Sequence, residues 1–463
     1  MTYREALDWL YSFSDTERSG AFVHDREDNL RRERALLREL GDPHLAYGVT
    51  HIAGTKGKGS TAAMLASVLS AAGIRTGLYT QPDLHTFRER IRVNGEVISE
   101  RAIAALVPRV REALARVGDT QGSYITYEVA TALSFLALRE AGVRHAVIEV
   151  GLGGRLDATN VVEPRVAVIT SISFDHMAVL GDTLGAIATE KAGIIKPGVP
   201  TVTTARASEA LAVFERVATE RGSRLVRVAP AGTPAVEFTY RDEGATEEAQ
   251  WCTVTGPGVT LEHLELGLLG THQLENAAGA VAATVELRRG GLAVPDDAIR
   301  AGLRKARWSA RLQRIGCRPA IVVDGAHNAD SLAKLGAALR RHFTWRRLIL
   351  VLGIMADKDR DGMARELAAI HPDLVIVTAA PSPRTLPPRE LAAALAAVDP
   401  ALSVVVTPDV SHALAAARAA ALPDDLVCVT GSLYTAGEAL RWYAVHSDAA
   451  ERMAPIEIAG DDH

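Results

Sequence analysis

Seven consecutive residues have the composition of a phosphate cradle. Gly54, Thr55, Lys56, Gly57, Lys58, Gly59 and Ser60 read GTKGKGS, after an apolar run at 49–53 and before a helical pattern at 61–69. That is a strand, a glycine turn and a helix start. Glycines let backbone N–H groups point at an anion, the helix N-terminus adds partial positive charge, and Lys58 can reach phosphate oxygens. Ser60 is placed to offer its hydroxyl to a magnesium ion held by those phosphates. Gly59 separates the lysine from the serine, which points away from GTPases and P-loop kinases, where Ser or Thr follows the lysine directly. A ligand-free glycine turn is the plain alternative. Two lysines in the loop, with a strand and a helix flanking it, argue against that.

Further chemistry sits at other strand ends. Glu149 closes an apolar strand at 146–150 and opens the run EVGLGGRLDATN, where open α/β sheets place their ligands. As a lone acid it would be a solvated strand end; in one domain with a phosphate loop it is a magnesium ligand. His176 follows another strand in TSISFDH and reads as a ligand or as a surface residue. Lys191 has apolar neighbours, Ala192, Ile194 and Ile195, which can lower its pKa and free the neutral amine. Taken by itself it reads as a solvated lysine. In the second half, Asp324 ends a strand in VVDGAHN. It can accept hydrogen bonds from a ribose or hold an attacking amine, because Asn328 or Asp330 would suffice to cap the next helix. Arg311, in WSARLQ, is a hinge cation that can swing onto a γ-phosphate or lie on the surface.

The elements that must position these groups alternate. Apolar β-prone runs at 49–53, 76–80, 146–150, 166–170 and 199–203 are interleaved with helical patterns at 100–116, 127–140 and 184–192. Such alternation predicts a mostly parallel sheet with helices on both faces. Short strand-like pieces at 225–228, 238–240 and 251–254, broken by Gly and Pro, predict a small antiparallel extension, and a helix is expected over 273–289. A second alternation, with strands at 320–324, 348–352, 374–378, 403–407 and 426–430, predicts a Rossmann-like domain. The expected class is therefore α/β in two domains, an ATP-binding domain over 1–305 and a C-terminal domain over 306–463. The first 45 residues read as helical and charged, densest at 25–38, and the last fifteen are expected to fray.

Composition narrows the function classes. At 463 residues the chain exceeds one ordinary core. Hydrophobic content of 48% with 23% charged residues is that of a soluble globular protein. A net charge of −5 supplies no electrostatic reason for a nucleic-acid partner. Three scattered cysteines, Cys252, Cys317 and Cys428, lack metal spacing and suit a reduced cytoplasm. The start MTYREALDWLYSF has no basic region followed by an apolar core, and no run is long enough to span a membrane.

Taken in order, these motifs resemble the folylpolyglutamate synthase and dihydrofolate synthase branch of the Mur ligase superfamily. The resemblance runs from about Tyr3 to Trp442. It rests on GTKGKGS, FRERIRVNG from Phe87, TYE from Thr126, EVGLGGRLDATN and ITSISFDHMAVLGDTLGAIATEKAGIIKPG from Ile169. It continues through GTHQLENAAGA from Gly270, DGAHNADS from Asp324, VLGIMADKD from Val351 and VTGSLYTAGEALR from Val429. The resemblance implies a P-loop ATPase domain of Mur ligase type followed by a Rossmann-like glutamate-ligase domain. It implies ATP-dependent addition of L-glutamate to a folate through an acyl phosphate, with dihydropteroate as a further acceptor. Lys58, Lys191, His176, Asp324 and His327 then form the catalytic set, and Lys191 matches a lysine carried as a carbamate. Ser60, Glu149 and His176 match ligands of magnesium, two ions being expected. Asn276, Arg311 and Asp324 join the loop in holding ATP, while Thr126, Tyr127, Glu128, Leu156, Asp157 and Ala158 match the folate pocket. The implied partners are small molecules only, and the implied state is a cytoplasmic monomer.

The chain departs from that pattern in two places. Lys56 stands where the family usually has Asn. Gln81-Pro82-Asp83-Leu84 replaces Ser-Pro-His-Leu, whose serine is a magnesium ligand, and Asp83 is a candidate replacement. The rival readings are a Mur-like ligase for another carboxylate and a P-loop kinase.

Overall fold

The computed structural model describes residues 1–14, 28–118 and 124–447. The expected fraying of the last fifteen residues and the start of the charged run at 25–38 fall outside the described residues.

The first sheet contains β1 (Gly48–Ala53), β2 (Thr76–Tyr79), β3 (Ile91–Val93), β4 (Glu96–Val97), β5 (His145–Glu149) and β6 (Val166–Ile169). It continues with β7 (Thr201–Thr203), β8 (Leu225–Pro230), β9 (Phe238–Ala245), β10 (Gln250–Gly256) and β11 (Val259–Leu266). Their order is β11-β10-β9-β8-β7-β6-β1-β5-β2-β3-β4. Neighbours from β2 to β9 pair in parallel. Antiparallel pairing is confined to the two ends, β9-β10-β11 and β2-β3-β4. The sequence reading assigned the piece at 225–228 to the antiparallel extension, but β8 instead continues the parallel sheet beside β7.

The central strands are apolar on both faces because helices cover both faces. Ile52 and Val147 pack with the helices Lys58–Ala71 and Thr271–Arg289. Ala146 and Ile148 point the other way, against Glu100–Val117 and Thr126–Glu140. Alternate residues of one strand thus build two cores.

The second sheet runs β12-β13-β17-β14-β15-β16. Its strands are β12 (Gln313–Cys317), β13 (Ala320–Val323), β14 (Leu348–Leu352), β15 (Leu374–Val377), β16 (Val404–Val406) and β17 (Leu426–Thr430). All pairs are parallel except β12-β13. β12 is not among the strands expected from the sequence, since an edge strand such as QRIGC buries too little surface to need an apolar pattern. Asn328 caps the helix Ala329–His342, accepting from Ser331 N at 2.9 Å. Among the described residues no helix is long and apolar enough to cross a membrane.

Candidate active site

The phosphate loop leaves the carboxyl end of β1 and is braced from two sides. Thr55 N donates to Ser171 O at 2.8 Å and Thr170 Oγ1 to Lys56 O at 2.7 Å, so the end of β6 holds it in place. Gly54 has φ 146°, and a Cβ there would lie 1.7 Å from Thr170 Oγ1, which only glycine avoids. Behind the loop, Gln273 Nε2 donates to Ser60 Oγ at 3.3 Å and Asn276 Nδ2 donates to Gln273 Oε1 at 2.8 Å. Asn276 therefore supports Gly57 from the helix Thr271–Arg289 instead of lining the open site; a Cβ on Gly57 would meet its Oδ1 at 2.4 Å.

In front of the loop opens a cavity of about 730 Å³. The first sheet contributes the loop, Gln81, Asp83, Tyr127, Glu149, Leu156, Asp157, Ala158, Asp175, His176 and Lys191. The second contributes Arg311, His327, Asp357, Lys358, Arg384 and Tyr434. Residues from both sheets thus face one space.

Burial sets the charges inside it. Glu149 is 5% exposed, and desolvation pushes its carboxyl up to about 7 even though Lys58 Nζ stands 4.0 Å away. Gln81 N donates to its Oε2 at the long distance of 3.4 Å. A buried carboxylate with two long contacts fits an additional cation, and with the Ser60 hydroxyl it is an oxygen donor of the type magnesium takes beside phosphate and water. Among the described residues no three His, Cys, Asp or Glu side chains converge into a metal cage.

Lys191 is not the solvated lysine that its own residue type favours. It is 4% exposed, its Nζ donates to Gly54 O at 2.9 Å, and burial followed by the Lys58 charge lowers it to about 7.

Lys56 Nζ donates to Asp175 Oδ2 at 2.8 Å and lies 3.2 Å from His327 Nε2. His327 Nδ1 is 2.9 Å from Gly325 O, a carbonyl that can only accept, so Nδ1 carries the hydrogen and Nε2 accepts from Lys56. Burial first, then Lys56, hold His327 down to about 4. Although burial acts to raise Asp175, Lys56 keeps it well below the usual carboxylate range. His176 has a half-exposed side chain at φ 50°, and its N–H donates to Asp175 Oδ1 at 3.1 Å.

Besides Asn276, three expected site residues are engaged away from the cavity. Both carboxylate oxygens of Asp324 accept backbone N–H groups, Leu312 N and Ala326 N, each at 2.8 Å, so the acid shapes the turn that carries Arg311. Thr126 Oγ1 donates to Phe13 O at 3.1 Å. Glu128 is fully buried, takes Arg32 Nη2 at 2.8 Å and accepts from Ile125 N at 3.0 Å at the start of its helix. Tyr127 alone of that triplet lines the cavity; its hydroxyl donates to Asp157 Oδ1 at 2.9 Å and accepts from Gln81 Nε2 and Gly151 N, each at 3.1 Å. Gln81 therefore directs its amide nitrogen at Tyr127, and Asp83 takes Arg90 Nε at 2.5 Å.

Sequence reasoning missed the cation pair on the second wall. Lys358 Nζ and Arg384 Nη2 lie 3.4 and 3.1 Å from the shared carboxylate of Asp357. The MADKD run was visible, but only folding brings Arg384 beside it.

Residues 52–284 match the Mur ligase middle domain and residues 310–433 the Mur ligase glutamate ligase domain. The folylpolyglutamate synthase of Lacticaseibacillus casei is 35% identical, over 94% of this chain and 97% of that protein. The dihydrofolate synthase/folylpolyglutamate synthase of Bacillus subtilis is 36% identical, over 80% and 83%. The solved structure of Escherichia coli FolC with DHPP and ADP superposes with a TM-score of 0.82 at 30% identity, covering 95% of this chain and 97% of that one.

Proposed function

Because this chain belongs to the folylpolyglutamate synthase/dihydrofolate synthase branch of the Mur ligases, we propose that its cavity joins L-glutamate to a reduced folate and also to dihydropteroate. The chain is an ATP-dependent folate-type glutamate ligase; the two acceptors and the residue roles are the proposed part. The observation that carries the reading is one cavity with a phosphate loop on its first wall and the cations Lys358 and Arg384 on its second. A dicarboxylate amino acid needs such cations.

In this reading a carboxylate oxygen of the folate attacks the γ-phosphoryl group of ATP, releasing ADP and leaving an acyl phosphate. The amine of glutamate, after losing a proton, attacks the acyl carbon; the amide forms and phosphate departs. The loop N–H groups and Lys58 hold the phosphates, and the protein works mainly by positioning and charge neutralisation. Ser60, Glu149 and His176 would hold magnesium, which supplies positive charge to the phosphate oxygens. The lowered Lys191 is a neutral amine able to capture carbon dioxide, and the resulting carbamate would be an anion for a second ion. Arg311 and His327 approach from the second domain, taken as 306–463 against 1–305, when the cleft closes. Tyr127, Leu156, Asp157 and Ala158 form the folate wall. The chain acts as a cytoplasmic monomer.

The B. subtilis relative carries both activities in its name, which favours the second acceptor. The test is glutamate-dependent phosphate release with tetrahydrofolate and then with dihydropteroate. Release with both is expected. Release with tetrahydrofolate alone removes the second acceptor, and release with neither removes the folate reading.

A further inference from the structure

Beneath the folate wall runs a chain of buried hydrogen bonds whose direction can be worked out atom by atom. Asp157, 3% exposed, takes Tyr127 OH at 2.9 Å, Thr159 N at 3.0 Å and Thr159 Oγ1 at 2.5 Å on Oδ1, and Leu152 N at 3.0 Å on Oδ2. Thr159, fully buried, has one hydroxyl hydrogen, and the carboxylate claims it. The remaining contact of that hydroxyl, to His51 Nε2 at 2.9 Å, must therefore be accepted from the ring. His51 thus carries its hydrogen on Nε2, which agrees with Nδ1 being buried without a partner among the described residues. It is also neutral, since burial lowers it to about 3. The order is His51 N–H to Thr159 O–H to the Asp157 carboxylate, whose Oδ1 also takes the Tyr127 hydroxyl.

We propose that Thr159, oriented by His51, is a positioning residue for folate binding: it holds Asp157 as an oriented carboxylate against the cavity. The inference rests on the reading of Asp157 as part of the folate wall. Neither His51 nor Thr159 lines the cavity, so neither touches substrate. Their effect passes through Asp157, which lines the cavity and whose Oδ2, with one backbone donor among the described residues, can accept a further N–H from a ligand. The network also reaches Tyr127, and through it the turn at Gly151 and Gln81. A loosened Asp157 would therefore disturb the folate wall and leave the phosphate loop, which is braced by β6 and the helix Thr271–Arg289, intact.

That asymmetry provides the test. Thr159→Val keeps the shape and removes the hydroxyl; Thr159→Ser restores it. In Thr159→Val the folate KM is expected to rise roughly tenfold, the effect of losing one hydrogen bond to a charged group. The ATP KM should stay within about twofold, a margin smaller than that single-bond effect. Thr159→Ser should bring the folate KM back toward the parent value. Asp157→Asn is measured alongside and should raise the folate KM more. If Asp157→Asn raises it but Thr159→Val does not, the positioning role is overturned while the folate wall stands. If Asp157→Asn leaves it unchanged, the wall assignment fails and the inference fails with it. Equal rises in the folate and ATP KM, with no rescue by serine, would mark Thr159 as a general packing residue and also overturn the proposal. Thermal melting of each variant confirms that folded protein is compared.

Discussion

Lys56 of the phosphate loop reaches across the cleft to His327, with 3.2 Å between Nζ and Nε2. The bond joins the first-sheet wall to the second-sheet wall through a charged donor and a neutral ring. Asp175 anchors the same ammonium at 2.8 Å, so Lys56 is a fixed charge between the two walls and not a mobile surface lysine. If this contact seats the second wall on the loop, the residues are coupled. A double-mutant cycle with Lys56→Met and His327→Ala, read in kcat/KM for glutamate, should give an interaction energy of about 1 kcal/mol or more. Strictly additive losses would mean that the contact is incidental.

Lys58 and Glu149 face each other at 4.0 Å where the nucleotide phosphates are proposed to lie. Lys58→Ala and Glu149→Ala are each expected to lower ATP-dependent phosphate release by on the order of a hundredfold or more, the usual scale for losing a preorganised charge at a reacting oxyanion. Full activity in either variant would sink the assigned roles.

Lys191, lowered to about 7, is largely neutral at pH 8 and largely protonated at pH 6. A carbamate signal in carbon-13 NMR with labelled bicarbonate should grow as pH rises through about 7 and be absent in Lys191→Arg. The sign for stability follows from the same shift: the folded state binds fewer protons than the unfolded one, so this group's contribution increases with pH up to the ordinary lysine range. A carbamate signal independent of pH would contradict the buried amine as its origin.

Glu33 offers a second pH test, away from the chemistry. It is 0% exposed, neither carboxyl oxygen has a partner among the described residues, and burial, followed by the Glu128 charge, raises it well above its ordinary value. The folded state keeps a proton that the unfolded chain releases above about 4.5, so stability at this position falls as pH rises. Glu33→Leu should stabilise the protein by about 1–3 kcal/mol, the penalty for an unsatisfied buried polar group. Urea unfolding should show a larger gain at pH 8 than at pH 5; an equal or smaller gain would contradict a proton held in the fold.

Much of the site was legible because it is local in the chain. The loop from Gly54 to Ser60 has a strand before it and a helix after it, and Glu149 stands at a strand end, so period and glycine placement located both. Lys191 was legible only in part: its apolar neighbours and the resemblance pointed to a perturbed amine, but the Gly54 carbonyl that takes its Nζ is far away in sequence. Asp324 looked like a surplus acid because Asn328 could cap the helix; nothing in VVDGAHN shows that Leu312 N returns to occupy its carboxylate. Thr126 and Glu128 share a triplet with Tyr127, but on a helix only one of three adjacent side chains faces the cavity. The edge strand β12 escaped notice because it needs no apolar pattern.

The amino-acid sequence by itself determined the α/β class, the phosphate loop and the strand ends at which acids and a histidine stand. Each of these is a property of consecutive residues, set by backbone sterics and apolar periodicity. The tertiary structure decided which charges survive: that Lys56 is bound by Asp175 and His327, that the buried Lys191 amine is lowered to about 7, and that the His51 ring meets the Thr159 hydroxyl. Protonation and hydrogen-bond direction depend on desolvation and on partners tens to hundreds of residues away. Those partners exist only once the sheets have closed around one cavity.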